Sequence, residues 1–340
     1  CEIRWTEEAG FLPLTDRDVN TLWGRMNKTV GRVYLTDIYN VIHSEFVPLF
    51  NPFQSYFDHL PSWDGVSDPI GDLADTVHVK SDQAEFRDYF RKWFVGILPA
   101  LLDDTVVNHE ILVLIGEQGL YKTTWFNFLL PPELRCYFYT KTNSDRLNKD
   151  DLFSLTEFAL ICFEELDGMR PAELNQLKAM VTMPYVNERA AYGRNKERHP
   201  HIASFCGTGN NVQFLTDPTG NRRWLPFEVS QIRDPHLHAI PYELVYSQAY
   251  ALWKSGFCHW FSQEEIRKLN MHNSRFEVPN LEEDLIRTHF RKPFEGEAGI
   301  FVTAADILEQ ISSCLRYPLS PNKIGRIMAC LLYTSDAADE

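Results

Sequence analysis

The feature that most constrains this chain is a glycine-bearing turn set between a strand and a helix. Ile111–Ile115 (ILVLI) is an unbroken apolar run, the pattern of a strand buried on both faces. It leads directly into GEQGLYKTT, residues 116–124. Glycines in such a turn let backbone N–H groups wrap a phosphate where the next helix begins. Gly116, Lys122 and Thr123 stand at GxxxxGK[ST] spacing. There the lysine reaches the outer phosphates and the hydroxyl binds Mg²⁺. Gly119 adds a second permissive point and Thr124 continues the helix start. Tyr121 departs from the pattern, standing where the last glycine belongs. It narrows the room for a phosphate or sends the loop along another path. The plainer alternative is a chance glycine-rich turn capping a helix.

Further apolar runs follow at Phe158–Phe163 (FALICF), Ile202–Cys206 and Trp224–Val229, the last weakened as a strand by Pro226. Helical stretches separate them: Lys122–Leu130, ended by Pro131 and Pro132, and Ala172–Val181, with Pro171 at the first helical position. Strands alternating with helices predict an α/β fold with a mostly parallel sheet. Residues 1–100 read as a helical N-terminal region. Asp16 or Asp18 caps a helix to Lys28, Thr36 caps Asp37–Phe46, and Ser81 precedes an aromatic-rich helix over Asp82–Leu98. Residues 101–240 form the α/β core. Residues 241–329 are helical again, with Tyr242–Lys254, a capping box of Ser262 and Glu265, and Leu281–Phe290. A helix after Thr303 and another opening at Ser320-Pro321 suggest a winged helix cut off before its wing. Cys330–Glu340 (CLLYTSDAADE) resembles the translation of a transposase-end sequencing adapter and is expected not to belong to the natural chain.

Candidate chemistry clusters after these strands. Glu164 and Glu165 follow FALICF. Two carboxylates at the mouth of a buried strand are costly unless a cation or water sits there. Glu164 is expected to hold Mg²⁺ through water and Glu165 to polarise an attacking water. A solvated strand end is the bland alternative. Tyr185–His201 (YVNERAAYGRNKERHPH) carries Arg189, Arg194, Lys196 and Arg198 with Tyr185 and Tyr192 interleaved. That suits a hairpin contacting single-stranded nucleic acid, cations to phosphates and rings to bases, or else an ordinary charged surface. Asn210, at the end of the third run, can orient a water. Arg222 and Arg223 can stabilise transition-state charge in the same subunit or in a neighbour's site.

In this order the pieces resemble the ATPase core of the virulence-associated protein E family. That family is itself similar to superfamily 3 helicases and poxvirus-type primase-helicases within the AAA+ P-loop NTPases. GTGNNVQFLTDPTGNRRWLPFEV carries the closest match, with NPFQSYFDHLPSWDG and WKSGFCHWFSQEE supporting it over roughly Phe50–Asn273. The resemblance implies that Lys122 and Thr123 bind ATP·Mg²⁺, Glu164 and Glu165 are the acidic pair, Asn210 is the sensor, and Arg222 or Arg223 is an arginine finger. Arg189, Tyr192 and Arg194 would line a pore. It further implies a DNA-dependent ATPase of a phage or integrative element, assembled as a hexameric ring, with a primase as partner or fused domain. A second reading is a nucleotide-regulated DNA-binding or assembly module with little hydrolysis, in which Tyr121 impairs phosphate handling.

Composition sets outer limits. A net charge of −14 argues against a protein coated all over in nucleic acid but allows a local basic strip. The longest apolar stretch, Trp93–Leu102, is broken by Gly96 and Pro99 and is too short to span a membrane. The cysteines form no CxxC pair, and Cys162 and Cys206 sit inside apolar runs, which points to a reducing, cytoplasmic setting.

Overall fold

The computed structural model describes residues 2–6, 12–142, 149–188, 196–216, 221–279, 281–291, 294, 297–312 and 321–330. The chain divides into two compact units, Cys1–His59 and Leu60–Glu340. In the first, β1 (Glu2–Ile3) and β2 (Leu12–Pro13) pair antiparallel. Helix α1 (Asp16–Thr29) begins at Thr15, whose Oγ1 accepts the Asp18 N–H while the Asp18 carboxylate accepts the Thr15 N–H. Helix α2 (Leu35–Ile42) begins at Tyr34 rather than Thr36, because Asp37 Oδ2 accepts the Tyr34 N–H at 3.0 Å. Asn51 caps α3 (Pro52–Asp58) by accepting from the N–H groups of Phe53 and Gln54.

The second unit runs α4 (Pro69–Ala74), β3 (Val77–Val79), α5 (Gln83–Leu102), β4 (Ile111–Ile115), α6 (Lys122–Leu129), β5 (Phe138–Lys141), α7 (Lys149–Glu157), β6 (Leu160–Phe163) and α8 (Pro171–Val181). It continues with β7 (Tyr185–Glu188), β8 (Glu197–Pro200), β9 (Ser204–Gly209), β10 (Trp224–Ile232), α9 (Tyr242–Lys254), α10 (Gln263–Asn273), α11 (Leu281–His289), α12 (Ala304–Ser312) and α13 (Pro321–Cys330). Six strands form the main sheet in the order β3-β10-β4-β9-β6-β5. All neighbours are parallel except the edge strand β3, which runs antiparallel to β10. This is a mixed α/β fold with a central, mostly parallel sheet flanked by helices.

Burial on both faces explains the continuous apolar runs. Ile111, Val113 and Ile115 pack with Leu155 of α7 and Leu174, Leu177 and Val181 of α8. On the other face the rings of α5 meet those of α6 and α9, with Phe90 against Trp125 at 5.5 Å and Phe94 against Tyr246 at 5.3 Å between centroids. Helix α5 continues past Gly96 and Pro99, four residues beyond the expected end at Leu98. Cys162 and Cys206 are buried opposite each other on β6 and β9, as free thiols.

Pro226 does not break β10, because it sits where the outer edge has no strand beside it. The β3 pairing begins only at Val229, and His272 Nε2 donates to the Pro226 carbonyl at 2.6 Å instead. Asn273 Nδ2 donates to the carbonyls of Asn221 and Trp224 along the same edge. One buried amide ties α5 to the sheet: Asn108 Nδ2 donates to the Trp93 carbonyl at 3.0 Å and to Ser204 Oγ at 3.1 Å. Asn108→Ala leaves both acceptors without that donor, so the unfolding free energy from urea titration should fall by about 1–3 kcal/mol.

Ile286, Ile307, Ile311, Ile324 and Ile327 of α11, α12 and α13 enclose a small apolar cluster of their own. No helix among the described residues is long and apolar enough to cross a membrane.

Candidate functional site

The turn after β4 is fixed before any ligand is considered. The Gly116 N–H donates to the Gly209 carbonyl at 3.1 Å, which ties the turn to the end of β9. A Cβ on Gly116 would stand 2.9 Å from the Val229 carbonyl oxygen, so the close approach of β10 requires glycine there. Tyr121 is the N-cap of α6 and has φ 59°, ψ 18°, the left-handed conformation that glycine adopts without penalty. The backbone therefore follows the glycine path despite the substitution, at a cost of about 1–2 kcal/mol. The ring is 42% exposed.

Lys122, the first residue of α6, is 8% exposed. Its Nζ donates to the carbonyls of Gly116 at 2.6 Å and Glu117 at 2.7 Å, and to Asn210 Oδ1 at 3.3 Å. These partners are neutral oxygens. Burial lowers the lysine pKa, opposed by the charge of Asp167. Beside it, Thr123 Oγ1 donates to Glu164 Oε1 at 2.8 Å. Glu164 continues the ladder of β6, its N–H donating to the Lys141 carbonyl at 3.0 Å. Glu165 is left-handed, with φ 53°. Tyr121 and Glu165 are the non-glycine residues with positive φ among those described, and both line the same cavity. Such strain concentrates at functional sites.

That cavity, about 420 Å³, is bordered by Gly119, Lys122, Thr123, Thr124, Glu164 and Asn210 among others. It opens at the carboxyl ends of β4, β6 and β9, where the order of an open parallel sheet leaves a ligand crevice. Its volume lies within the range of small-molecule sites. Among the described residues, no three His, Cys, Asp or Glu side chains are grouped to hold a metal by themselves. A hydroxyl–carboxylate pair such as Thr123 and Glu164 nonetheless fits Mg²⁺, which takes one or two protein oxygens and completes its shell with phosphates and water. A buried ammonium satisfied by neutral oxygens likewise fits an anion.

The structure thus brings together Gly116, Gly119, Lys122, Thr123, Thr124, Glu164, Glu165 and Asn210, and it separates Arg222 and Arg223 from them. The two arginines form the short turn Asn221–Arg223 ahead of β10, and Trp224 pairs with Ile111. They lie at the amino ends of β10 and β4, about 17 Å or one strand length from the cavity. Arg222 is exposed and Arg223 partly buried. Burial lowers the pKa of the nearby His109, and Arg223 lowers it further.

β7 and β8 form an antiparallel hairpin, as the basic segment predicts. Arg198 lies over the Tyr185 ring at 3.5 Å, and Lys196 is exposed. Arg189, Tyr192 and Arg194 lie outside the described residues. His201 is not a surface cation: it is buried, its Nδ1 bonds the Met183 carbonyl at 2.7 Å, and burial pushes its pKa down to about 4.

Asp167 escapes the sequence reading. Its carboxylate accepts the N–H groups of Asn210 at 3.2 Å and Asn211 at 3.0 Å. The available signal is its place as the third acid of the run Glu164-Glu165-Leu166-Asp167.

Comparison with known proteins adds to this geometry. A family model for the virulence-associated protein E-like domain matches residues 58–278. None of the curated proteins compared with the chain matches it. Among solved structures, the apo structure of the NrS-1 C-terminal region (305–718) is similar at a TM-score of 0.44 and 12% identity, over 68% of this chain and 56% of that one. An A-form apo structure of the same region gives a TM-score of 0.38 and 13% identity, over 65% of this chain and 45% of that one. The chain therefore spans at most about 56% of these relatives' length. The family match takes in the whole sheet and the cavity at its carboxyl edge, and on that ground the chain belongs to the virulence-associated protein E-like domain family.

Proposed function

We propose that this chain is an ATP-hydrolysing motor of the helicase type, acting on DNA in the replication of a phage or integrative element. The observation that carries the reading is the convergence of Lys122, Thr123, Glu164 and Asn210 on one cavity at the carboxyl ends of parallel strands. In this reading residues 101–240 are the nucleotide-handling core. Residues 1–100 and the helices after residue 240 flank it in sequence, the former also supplying β3 and α5 to the sheet and its core. Lys122 leaves the turn carbonyls to pair with the outer phosphates, while backbone N–H groups of the turn beyond Gly116, up to Thr124, cradle them. Thr123 and Glu164 would hold Mg²⁺, which supplies neutralisation of phosphate charge when bound. Glu165 acts as general base on the attacking water and Asn210 orients that water.

Arg222 or Arg223 completes the site of the next subunit, since neither is near its own cavity, and this requires a ring, which we take to be a hexamer. The β7–β8 hairpin, through Lys196 and Arg198 and with Arg189, Tyr192 and Arg194 beyond the described residues, contacts one DNA strand. A primase is the expected functional partner.

The test is phosphate release by the full chain with Mg²⁺ and ATP, with and without single-stranded DNA. Turnover stimulated several-fold by DNA is expected. Absence of both ATP binding and turnover would sink the reading. Binding without turnover would instead favour the nucleotide-regulated assembly module, for which the bulky Tyr121 ring beside the turn is the specific support.

A further inference from the structure

We propose that Asp167 is a positioning residue that holds the Asn210 tip of β9 over Lys122, so that the turn after β6 sets the geometry of the turn after β4. The inference rests on the reading of the cavity as an ATP site.

The connection is continuous in the structure. Asp167 sits in the short helical turn Leu166–Gly168, closed by the Gly168 N–H to the Glu165 carbonyl at 2.8 Å. The left-handed Glu165 turns the chain so that the Asp167 carboxylate faces the end of β9. Both carboxylate oxygens are used, Oδ1 by the Asn210 N–H and Oδ2 by the Asn211 N–H. The fit is close, since a Cβ on Gly209 would come within 3.1 Å of Asp167 Oδ1. From there Asn210 Oδ1 accepts from Lys122 Nζ. Two charge-assisted bonds to consecutive amides fix the backbone of a strand tip more firmly than neutral bonds would. Asn210 is the residue expected to orient the attacking water, and an error of about 1 Å there is enough to cost about a hundredfold in rate. Asp167 itself need touch no substrate atom: beside the through-space charge it places on Lys122, it acts through Asn210.

A role through Asn210 predicts non-additivity, which a general contribution to folding does not. The experiment uses the full chain as wild type, Asp167→Asn, Asn210→Ala and the double variant. Two readouts are taken: the Kd of a fluorescent ATP analogue with Mg²⁺, and kcat for phosphate release. Asp167→Asn should lower kcat about tenfold or more while changing Kd by less than about threefold. In the Asn210→Ala background the same substitution should lower kcat by less than about threefold more. Asp167→Ser, which keeps one acceptor, serves as a second variant should Asp167→Asn lose its wild-type circular dichroism spectrum, and it should show the same pattern. If the wild type binds and hydrolyses ATP but the two losses multiply, or Asp167→Asn keeps wild-type kcat, the positioning role is overturned and the proposed function stands. If the wild type neither binds nor hydrolyses ATP, both are overturned.

Discussion

Lys122→Ala should remove ATP turnover, lowering kcat/KM by a factor of about 10² to 10³ or more, which corresponds to about 3–4 kcal/mol of lost transition-state stabilisation. The lysine is held by two backbone carbonyls and an amide oxygen. A buried ammonium held by neutral oxygens gains strongly when a phosphate arrives. The same fact predicts what happens to stability. Burial holds the folded-state pKa of Lys122 below the ordinary lysine value, so between the two values the unfolded chain binds more protons. Stability contributed by this group therefore rises as pH climbs through the folded pKa toward the unfolded one. Lys122→Ala should lose that alkaline rise without losing the fold. Urea midpoints of both proteins at pH 8 and pH 10, beside phosphate release, check the two halves together. Unchanged turnover would remove the phosphate-binding role of the turn.

How much of this was legible in the sequence follows from burial. β4, β6, β9 and β10 are buried along most of their length and read as apolar runs. β5 (FYTK) is a sheet edge with half-buried side chains, and β3 (VHV) is a three-residue edge, so neither has a pattern to find. Tyr121 was visible as a departure from a glycine position. Sequence alone does not show whether the backbone bends around a tyrosine or accepts the left-handed strain, and here it accepts the strain. Asp167 was missed because a third acid after two glutamates looks like a solvated loop; only the approach of Asn210 and Asn211 across 43 and 44 residues gives it a task. The arginine pair was readable as residues but not as a place. The parallel pairing of β10 with β4, a long-range fact, puts them at the opposite end of the sheet from Lys122.

That separation makes the arginine's effect a test of contact between subunits. Arg222→Ala should lower kcat by about 10³ or more, the scale of an arginine supplied from outside the site, with nucleotide affinity little changed. Arg222 is the better candidate of the pair because it is exposed, whereas Arg223 is partly buried and burial holds its pKa down. An arginine about one strand length from its own cavity acts on nucleotide only if a second subunit presents a cavity to it. Each active site then needs Lys122 from one chain and Arg222 from the next. Mixing Lys122→Ala with Arg222→Ala protein in equal amounts, both inactive alone, should restore about one quarter of the sites in randomly assembled rings. Phosphate release by the mixture, measured against each variant alone at the same total concentration, decides the matter. Recovery near that fraction requires sites shared between chains. A mixture as silent as its components, from proteins that still assemble, would mean that Arg222 serves some other end, and the amino edge of the sheet would have to be assigned to DNA or to packing instead.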